Sequence, residues 1–205
     1  MIRLSMFIGC LLAHSFVLAG EFNPDINIGD TAPAWSDLPG TDGKHHSSND
    51  FHDFKAVVVA FTCNSCPYAV DAEQRLIELH ALCKANKAAL VAINVNTIAA
   101  DDLPAMTARA KEKSYPFPYL FDKTQAIAKA FGARYTPEFF VLGEDRKIVY
   151  MGSLDDSPDG KKVTKQFVRD AILAAADTKA PAVTETVPIG CRIRFERERR
   201  TRKSK

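Results

Sequence analysis

The chain is poor in the residues from which stapled or metal-caged folds are built. It has 5 cysteines in 205 residues, too few for a disulfide-stapled miniprotein, and a single CxxC motif, so no second pair completes a structural zinc cage. Its 10 glycines and 11 prolines exclude a collagen-like chain. Because 46% of the residues are hydrophobic and 25% are charged, the composition is that of a globular protein with a sizeable core.

The chain has no net positive charge ahead of its last fourteen residues. Residues 192–205 carry a net charge of +6 although the whole chain carries only +2, so the preceding residues sum to −4. A nucleic-acid-binding domain carries its basic residues on a folded face, so nucleic acid is not expected as a partner. The basic tail is predicted to be mobile, and weak contact with an anionic membrane surface is the interaction it suggests.

The apolar run at the N-terminus is shorter than a membrane span. It covers residues 4–18 and is interrupted by His14, whereas a spanning helix needs about 20 apolar residues. Arg3 before the run and the small Ala19 after it are typical of a signal peptide, which we place at residues 1–19 and expect to be cleaved rather than retained as an anchor. The protein is therefore predicted to be periplasmic or secreted, where disulfides persist and cysteines are interpreted first as redox groups.

Alternating strand and helix patterns predict one α/β domain at residues 20–177, followed by a linker and a basic tail at 178–205. A continuous β-branched run at 56–61 predicts a strand buried on both faces, and the apolar spacing over 67–84 predicts a helix. Further strands are predicted at 89–95, 119–121, 138–142 and 147–152, further helices at 101–113, 124–131 and 164–176, and an N-terminal hairpin within 27–44. Together they predict a central mixed sheet flanked by helices, parallel in its middle and closed by an antiparallel hairpin.

The CxxC motif lies at the junction between the strand at 56–61 and the helix that follows it. Two cysteines in this position can close a small disulfide, and the free N–H groups and positive dipole end of the helix favour a thiolate there. We expect Cys63 to be the attacking nucleophile, with a pKa of about 3.5 to 7.5, and Cys66 to resolve the mixed disulfide. An inert disulfide or half of a zinc site is the alternative interpretation.

A second candidate feature is the Thr136-Pro137 dipeptide directly before the strand at 138–142. Pro137 cannot donate to a sheet ladder, which suits the start of a strand, and the bond after Thr136 is a candidate for a cis peptide. A trans bond is the commoner form and stays open at this point.

The order of these features resembles the thioredoxin superfamily over about residues 28–176. More narrowly, the residues at 29–33 (GDTAP), 63–68 (CNSCPY) and 190–195 (GCRIRF) are similar to exported peroxiredoxin-like redoxins of the AhpC/TSA type. The resemblance implies a thioredoxin-like fold with Cys63 and Cys66 at the active site. It also implies a cis Pro137 packed beside them, with neighbouring backbone positioned to pair with a substrate chain.

The sequence departs from peroxiredoxins at the positions that handle peroxide. Those proteins place a Thr or Ser three residues before the reactive cysteine and an Arg on a later strand, whereas here Ala60 precedes Cys63 and Pro137 matches the arginine position. Arg134 could replace that arginine only if its side chain pointed inward. The departures favour thiol-disulfide exchange with protein thiols or disulfides, without a cofactor. A thiol peroxidase acting on peroxide is the alternative function.

A copper-binding metallochaperone is the rival from another class, because thiolates are soft copper ligands. Copper-binding proteins of this fold resemble a CxxxCP spacing, one residue longer than the spacing here. The available histidines are His45, His46, His52 and His80. The adjacent pair at 45–46 lies in a polar stretch, where solvent-exposed side chains are expected, so no metal site is assigned.

Two further cysteines and two carboxylates are candidates for supporting roles. Cys83 lies on the apolar side of the helix at 67–84 and is expected in the core. Cys191 follows the linker, and one hypothesis makes it a third redox thiol that reaches back to the CxxC pair. Asp71 and Glu73, just inside the same helix, could assist proton transfer to the second CxxC cysteine if they are buried.

Overall fold

The fold is built around a five-stranded mixed sheet, seen in a computed structural model that describes residues 20–196. The strands are β1 (Leu38–Pro39), β2 (His45–His46), β3 (Ala56–Phe61), β4 (Ala88–Asn94), β5 (Tyr119–Phe121), β6 (Tyr135–Thr136), β7 (Glu138–Leu142), β8 (Ile148–Gly152) and β9 (Cys191–Arg192). The helices are α1 (Pro67–Ala85), α2 (Leu103–Lys113), α3 (Ala126–Ala130) and α4 (Phe167–Ala176). Short 3₁₀ helices cover Ser48–Phe51 and Ala99–Asp101.

The sheet has the strand order β5-β4-β3-β7-β8. β3, β4 and β5 run parallel to one another, and β7 and β8 run antiparallel to their neighbours. β1 and β2 form a separate small hairpin near the N-terminus. The predicted α/β class, the mixed sheet and the N-terminal hairpin are confirmed.

The central strands contribute to two apolar cores because both of their faces are covered. Alternate residues of β3 point to opposite sides: Val58 packs with α1, α2 and α4, whereas Val59 packs with α3 and the hairpin region around Trp35. All residues of β3 and β4 are buried. This explains the nearly continuous apolar runs of these strands, since a strand covered on both faces has no polar side.

Helix α1 begins where the sequence predicts it to begin. Pro67 occupies its first turn, where a missing N–H costs nothing, and Cys66 is the N-cap residue with extended backbone. The buried side of the helix includes Leu76, Leu79 and Cys83, which all belong to the same apolar core. Cys83 is therefore a core residue, as predicted.

Three of the predicted helices begin later than the apolar pattern suggests. Helix α3 starts at Ala126 instead of 124, and the other two show what delays the start. Helix α2 starts at Leu103 instead of 101, because the carboxylate of Asp102 caps it by accepting the Ala105 N–H at 2.9 Å. Helix α4 starts at Phe167 instead of 164, because Thr164 and Lys165 donate their backbone N–H groups to Asp156 in a loop. In both places, side-chain acceptors hold the preceding residues outside the helix.

The segment after α4 lies along the domain, where the sequence predicts a linker and tail. Thr184 and Thr186 exchange backbone hydrogen bonds with Met151 on the outer strand β8, and the Glu185 carboxylate accepts the N–H groups of residues 21–23. A Cβ at Gly152 would come within 3.0 Å of three Thr186 atoms, so this close approach requires glycine. The segment covers a sheet edge that would otherwise present unpaired backbone groups.

Two expectations fall on residues that the structure does not describe. The predicted signal peptide at 1–19 and the end of the basic tail at 197–205 lie outside residues 20–196. Within residues 20–196, every helix is too short or too polar to cross a bilayer.

Candidate active site

The four candidate site residues meet at the N-terminus of α1. Cys63 Sγ lies 3.4 Å from Thr136 Oγ1, and Cys66 Sγ lies 2.9 Å from the Thr136 carbonyl oxygen. The peptide bond between Thr136 and Pro137 is cis. β3 carries the CxxC segment to this point, and β6 brings the Thr136 backbone alongside it.

Both CxxC thiols are buried, each with 3% of its surface exposed, and a third thiol packs against them. β9 pairs with β6 so that Cys191 lies opposite Thr136. This places the half-buried Cys191 side chain against the cluster formed by Cys63, Cys66 and Ala69. The four cysteines in residues 20–196 are all free thiols in this state.

The pKa values of the two CxxC thiols are shifted in opposite directions. The pKa of Cys66 falls to about 4, mainly because the Cys63 thiol donates to it, with further donation from the Cys191 thiol and the Ala69 backbone N–H. The pKa of Cys63 is raised by the same hydrogen bond to Cys66, by burial and by the negative charge of Asp101. Cys66 is also the N-cap residue of α1, so its sulfur lies at the positive end of the helix dipole, which favours a thiolate.

The pKa shifts of the two thiols differ from the sequence-based expectation, which gives the lowered pKa to Cys63. The expectation rests on the helix dipole, which acts on both cysteines. The structure adds groups that treat them differently: Cys66 receives thiol and amide donors, whereas Cys63 faces a carboxylate. The hydroxyl of Thr136 lowers the pKa of Cys63 and opposes these effects in part.

Asp101 holds the loop between the two cysteines in place, and sequence reasoning did not identify it. One carboxylate oxygen accepts the backbone N–H groups of Asn64 and Ser65 at 2.8 and 2.9 Å. The other accepts the Ser65 hydroxyl at 2.6 Å and the Asn96 amide at 3.1 Å. Asp101 is completely buried. It therefore occupies two N–H groups that could otherwise turn toward a Cys63 thiolate.

The other side of the same loop is fixed by Asn64. Its side-chain oxygen accepts the Tyr119 hydroxyl at 3.1 Å, and its amide donates to the Ala100 carbonyl at 3.0 Å. Burial raises the pKa of Tyr119 well above its usual range, so this hydroxyl stays a donor. Both residues between the cysteines are thus anchored to the segment after β4.

Glu138 fixes the chain around Pro137 from the opposite side. Its carboxylate accepts the backbone N–H groups of Arg134 and Tyr135 at 2.7 and 2.9 Å. Burial raises its pKa to about 7, against these two hydrogen bonds. The guanidinium of Arg134 points away from the thiols, is half exposed and pairs with Asp25 at 3.1 Å. Arg134 is therefore a surface residue and does not take the place of a peroxidatic arginine.

The helix carboxylates have other roles than proton transfer in this geometry. Asp71 is exposed, whereas Glu73 is buried and accepts both Arg109 Nε and Nη2, at 2.7 and 2.9 Å. The Tyr115 hydroxyl also donates to Glu73 at 2.7 Å. Glu73 thus ties α1 to α2, and in residues 20–196 no hydrogen bond joins it to Cys66.

The histidines considered for copper lie among other partners. His45 and His46 of β2 pair with Asp37 and Asp42, and His52 pairs with the exposed Asp53. His80 of α1 packs against Phe117 instead. Across residues 20–196, no group of three His, Cys, Asp or Glu side chains is arranged to hold a metal ion.

Comparison with known proteins identifies the family. The family model described as Redoxin matches residues 27–167. The chain belongs to the Redoxin family. No curated protein sequence matches it. Family membership supports a thioredoxin-like redox function for the chain, that of an oxidoreductase.

Solved structures of similar proteins extend this likeness over most of the chain. A hypothetical protein from Sinorhizobium meliloti 1021 is 35% identical, over 83% of this chain and 96% of that one, with a TM-score of 0.78. An uncharacterized conserved protein from Geobacillus kaustophilus is 34% identical, over 83% and 93%, with a TM-score of 0.78. A thiol-disulfide oxidoreductase from Bacteroides fragilis is 22% identical, over 60% and 89%, with a TM-score of 0.52, and shares the thioredoxin-like fold.

Proposed function

We propose that this redoxin is an exported thiol-disulfide oxidoreductase that exchanges disulfides with protein partners through Cys63 and Cys66. The observation that carries the proposal is the position of the two thiols: Cys63 and Cys66 lie together at a helix N-terminus, in contact with Thr136 beside the cis Pro137. A thiolate is the species that attacks a disulfide. The reaction needs no cofactor, since both electrons come from the dithiol itself.

The roles of the two thiols follow from what covers each of them. Cys66 is enclosed by the Thr136 carbonyl and by Cys191, so we assign the attack on a partner disulfide to Cys63. Its proton passes to Cys66 along the hydrogen bond between them, and the Thr136 hydroxyl stabilises the resulting Cys63 thiolate.

Two exchange steps complete the reaction. Cys63 forms a bond to one partner sulfur while the partner S–S bond breaks and its other sulfur leaves as a thiolate. Cys66 then attacks Cys63, which forms the Cys63–Cys66 disulfide and releases the second partner thiol. The partner is reduced by two electrons and the protein is oxidised by two.

Exchange is favoured over peroxide reduction because the groups that handle peroxide are missing from the site. Ala60 is a buried apolar residue of β3. Pro137 stands at the position that matches the arginine of typical peroxiredoxins. Within residues 20–196, no guanidinium is hydrogen-bonded to Cys63 or Cys66.

Stopped-flow oxidation of the fully reduced protein distinguishes the two functions. We expect a model disulfide to oxidise the dithiol faster than hydrogen peroxide does at equal concentration, by roughly tenfold or more, because the reaction depends on thiolate attack at sulfur. Rapid consumption of peroxide, with a sulfenic acid trapped at Cys63 or Cys66, would make the protein a thiol peroxidase and reject the exchange assignment.

Export is the part of the proposal that rests on the N-terminal sequence. The run at 4–18, with Arg3 before it and Ala19 after it, supports a cleaved signal peptide and a periplasmic or secreted location. N-terminal sequencing of the protein from the extracytoplasmic fraction is expected to begin at Gly20. Recovery of the protein with Met1 intact would contradict cleavage.

A further inference from the structure

The C-terminal strand β9 delivers a third thiol to the CxxC pair. Cys191 faces Thr136 in the β6–β9 ladder and packs against Cys66, and its thiol and backbone N–H both lower the pKa of that cysteine. The Thr136 carbonyl oxygen, 2.9 Å from Cys66 Sγ, belongs to the residue that pairs with Cys191. The three sulfur-bearing side chains form one cluster with Ala69.

The position of Cys191 is fixed on both sides by contacts that do not involve sulfur. A Cβ at Gly190 would come within 3.0 Å of the Thr136 carbonyl and the Pro137 nitrogen, so glycine is required for β9 to lie this close. Beyond the cysteine, Ile193 is buried and donates its N–H to the Arg134 carbonyl at 2.8 Å. The strand is therefore held against the site from residue 190 onward.

Exposure separates the three thiols. Cys63 and Cys66 are each 3% exposed, whereas Cys191 is only half buried. A disulfide that includes Cys191 lies nearer the surface.

We propose that Cys191 is a third redox thiol, which accepts the disulfide from the CxxC pair by forming a Cys66–Cys191 bond. The Cys191 sulfur attacks Cys66, the Cys63–Cys66 bond breaks, and Cys63 leaves as a thiolate that takes up the proton lost by Cys191. One disulfide is exchanged for another, so no external oxidant enters this step. The inference rests on the proposed function, because the first disulfide comes from the partner.

The charges around Cys191 support a thiol that is activated when the pair is oxidised. Burial, the hydrogen bond to Cys66 and the Cys66 negative charge raise the pKa of Cys191 to about 11, and Arg194 opposes them. In the Cys63–Cys66 disulfide the Cys66 charge is absent, so two of these three causes disappear. Cys191 then ionises more readily at the stage at which it must attack.

Peptide mapping of the oxidised full-length protein tests the proposal. Tryptic cleavage places Cys63 and Cys66 together in peptide 56–75, Cys191 in 180–192 and Cys83 in 76–84. The reduced protein is treated with glutathione disulfide, quenched with acid and alkylated before digestion. Wild-type protein is expected to contain both an internal disulfide in 56–75 and a cross-link from 56–75 to 180–192.

Two variants separate a redox role for Cys191 from mere proximity. In Cys63→Ser the internal disulfide cannot form, and nearly all oxidised protein is expected to carry the cross-link between Cys66 and Cys191. In Gly190→Ala no sulfur is altered but β9 is pushed off the site, so the ratio of cross-link to internal disulfide is expected to fall at least tenfold. Cys83→Ser and Gly143→Ala, where the added Cβ meets mainly the exposed Asp145 side chain, are the matched controls.

The outcomes distinguish this inference from the proposed function. If wild-type protein forms the internal disulfide but Cys63→Ser accumulates only glutathione adducts without the cross-link, Cys191 is not a redox thiol and the exchange function stands. If wild-type protein forms neither disulfide, the exchange function fails and the role of Cys191 fails with it.

Discussion

Cys63→Ser protein is expected to lose disulfide-exchange activity by about 10³-fold or more, because the thiol that attacks the partner disulfide is removed. The change also removes the largest cause of the low Cys66 pKa, and the Thr136 carbonyl and Cys191 enclose that second thiol. The measurement is steady-state reduction of a model disulfide with a recycling reductant.

The complementary change, Cys66→Ser, is expected to stop the reaction one step later. Cys63 would still attack, but the mixed disulfide would persist because its resolving thiol is missing, and intact-mass measurement would find one partner molecule per chain. Cys83→Ser is the control, since Cys83 lies in the apolar core of α1 and its removal leaves the site unchanged. Trapping in Cys63→Ser instead, at Cys66, would reverse the assigned roles.

The sequence is most informative where one local pattern decides the structure. β3 is recognisable because a strand covered on both faces must be apolar throughout, and α1 because Pro67 and the apolar spacing agree on its start. The CxxC motif lies between these two elements, so its position at a helix N-terminus follows from them. Thr136 and Pro137 are identifiable for a similar reason, since a proline directly before a strand is conspicuous.

The sequence is least informative where distant backbone groups meet a side chain. Asp101 binds N–H groups of residues 64 and 65, which lie 36 residues or more away, and a backbone donor leaves no trace in the residue pattern. β9 is only two residues long and has no periodicity, so no pattern in the sequence predicts it as a strand. The opposite pKa shifts of the two CxxC thiols depend on these same contacts. Without them, the helix dipole alone leads to the expectation of a lowered pKa at Cys63.

Asp101→Asn protein is expected to be less stable and to have a more acidic Cys63. Two carboxylate oxygens accept four hydrogen bonds in a completely buried position, whereas asparagine offers one oxygen and turns an NH₂ group toward donors. Leaving such donors unsatisfied costs about 2 to 4 kcal/mol of the free energy of unfolding. Urea denaturation of the reduced protein measures this loss.

The effect on Cys63 has the opposite direction, because the Asp101 charge raises the pKa of that thiol. Removing the charge lowers it, so alkylation of Cys63 is expected to become faster and to reach its plateau at lower pH. The alkylation rate and the pH of its plateau are both measured in the Cys66→Ser background, where Cys63 titrates without the neighbouring thiol.

Asp102→Asn is the matched control for Asp101. The neighbouring carboxylate caps α2 through the Ala105 N–H and makes no contact with the CxxC loop, and asparagine caps a helix about as well as aspartate. Equal stability and equal alkylation profiles in the two variants would contradict the role given to Asp101. A less stable Asp101→Asn protein with an unchanged Cys63 profile would reduce that role to holding the loop. Both changes together would show that one carboxylate fixes the shape of the loop and restrains its first thiol.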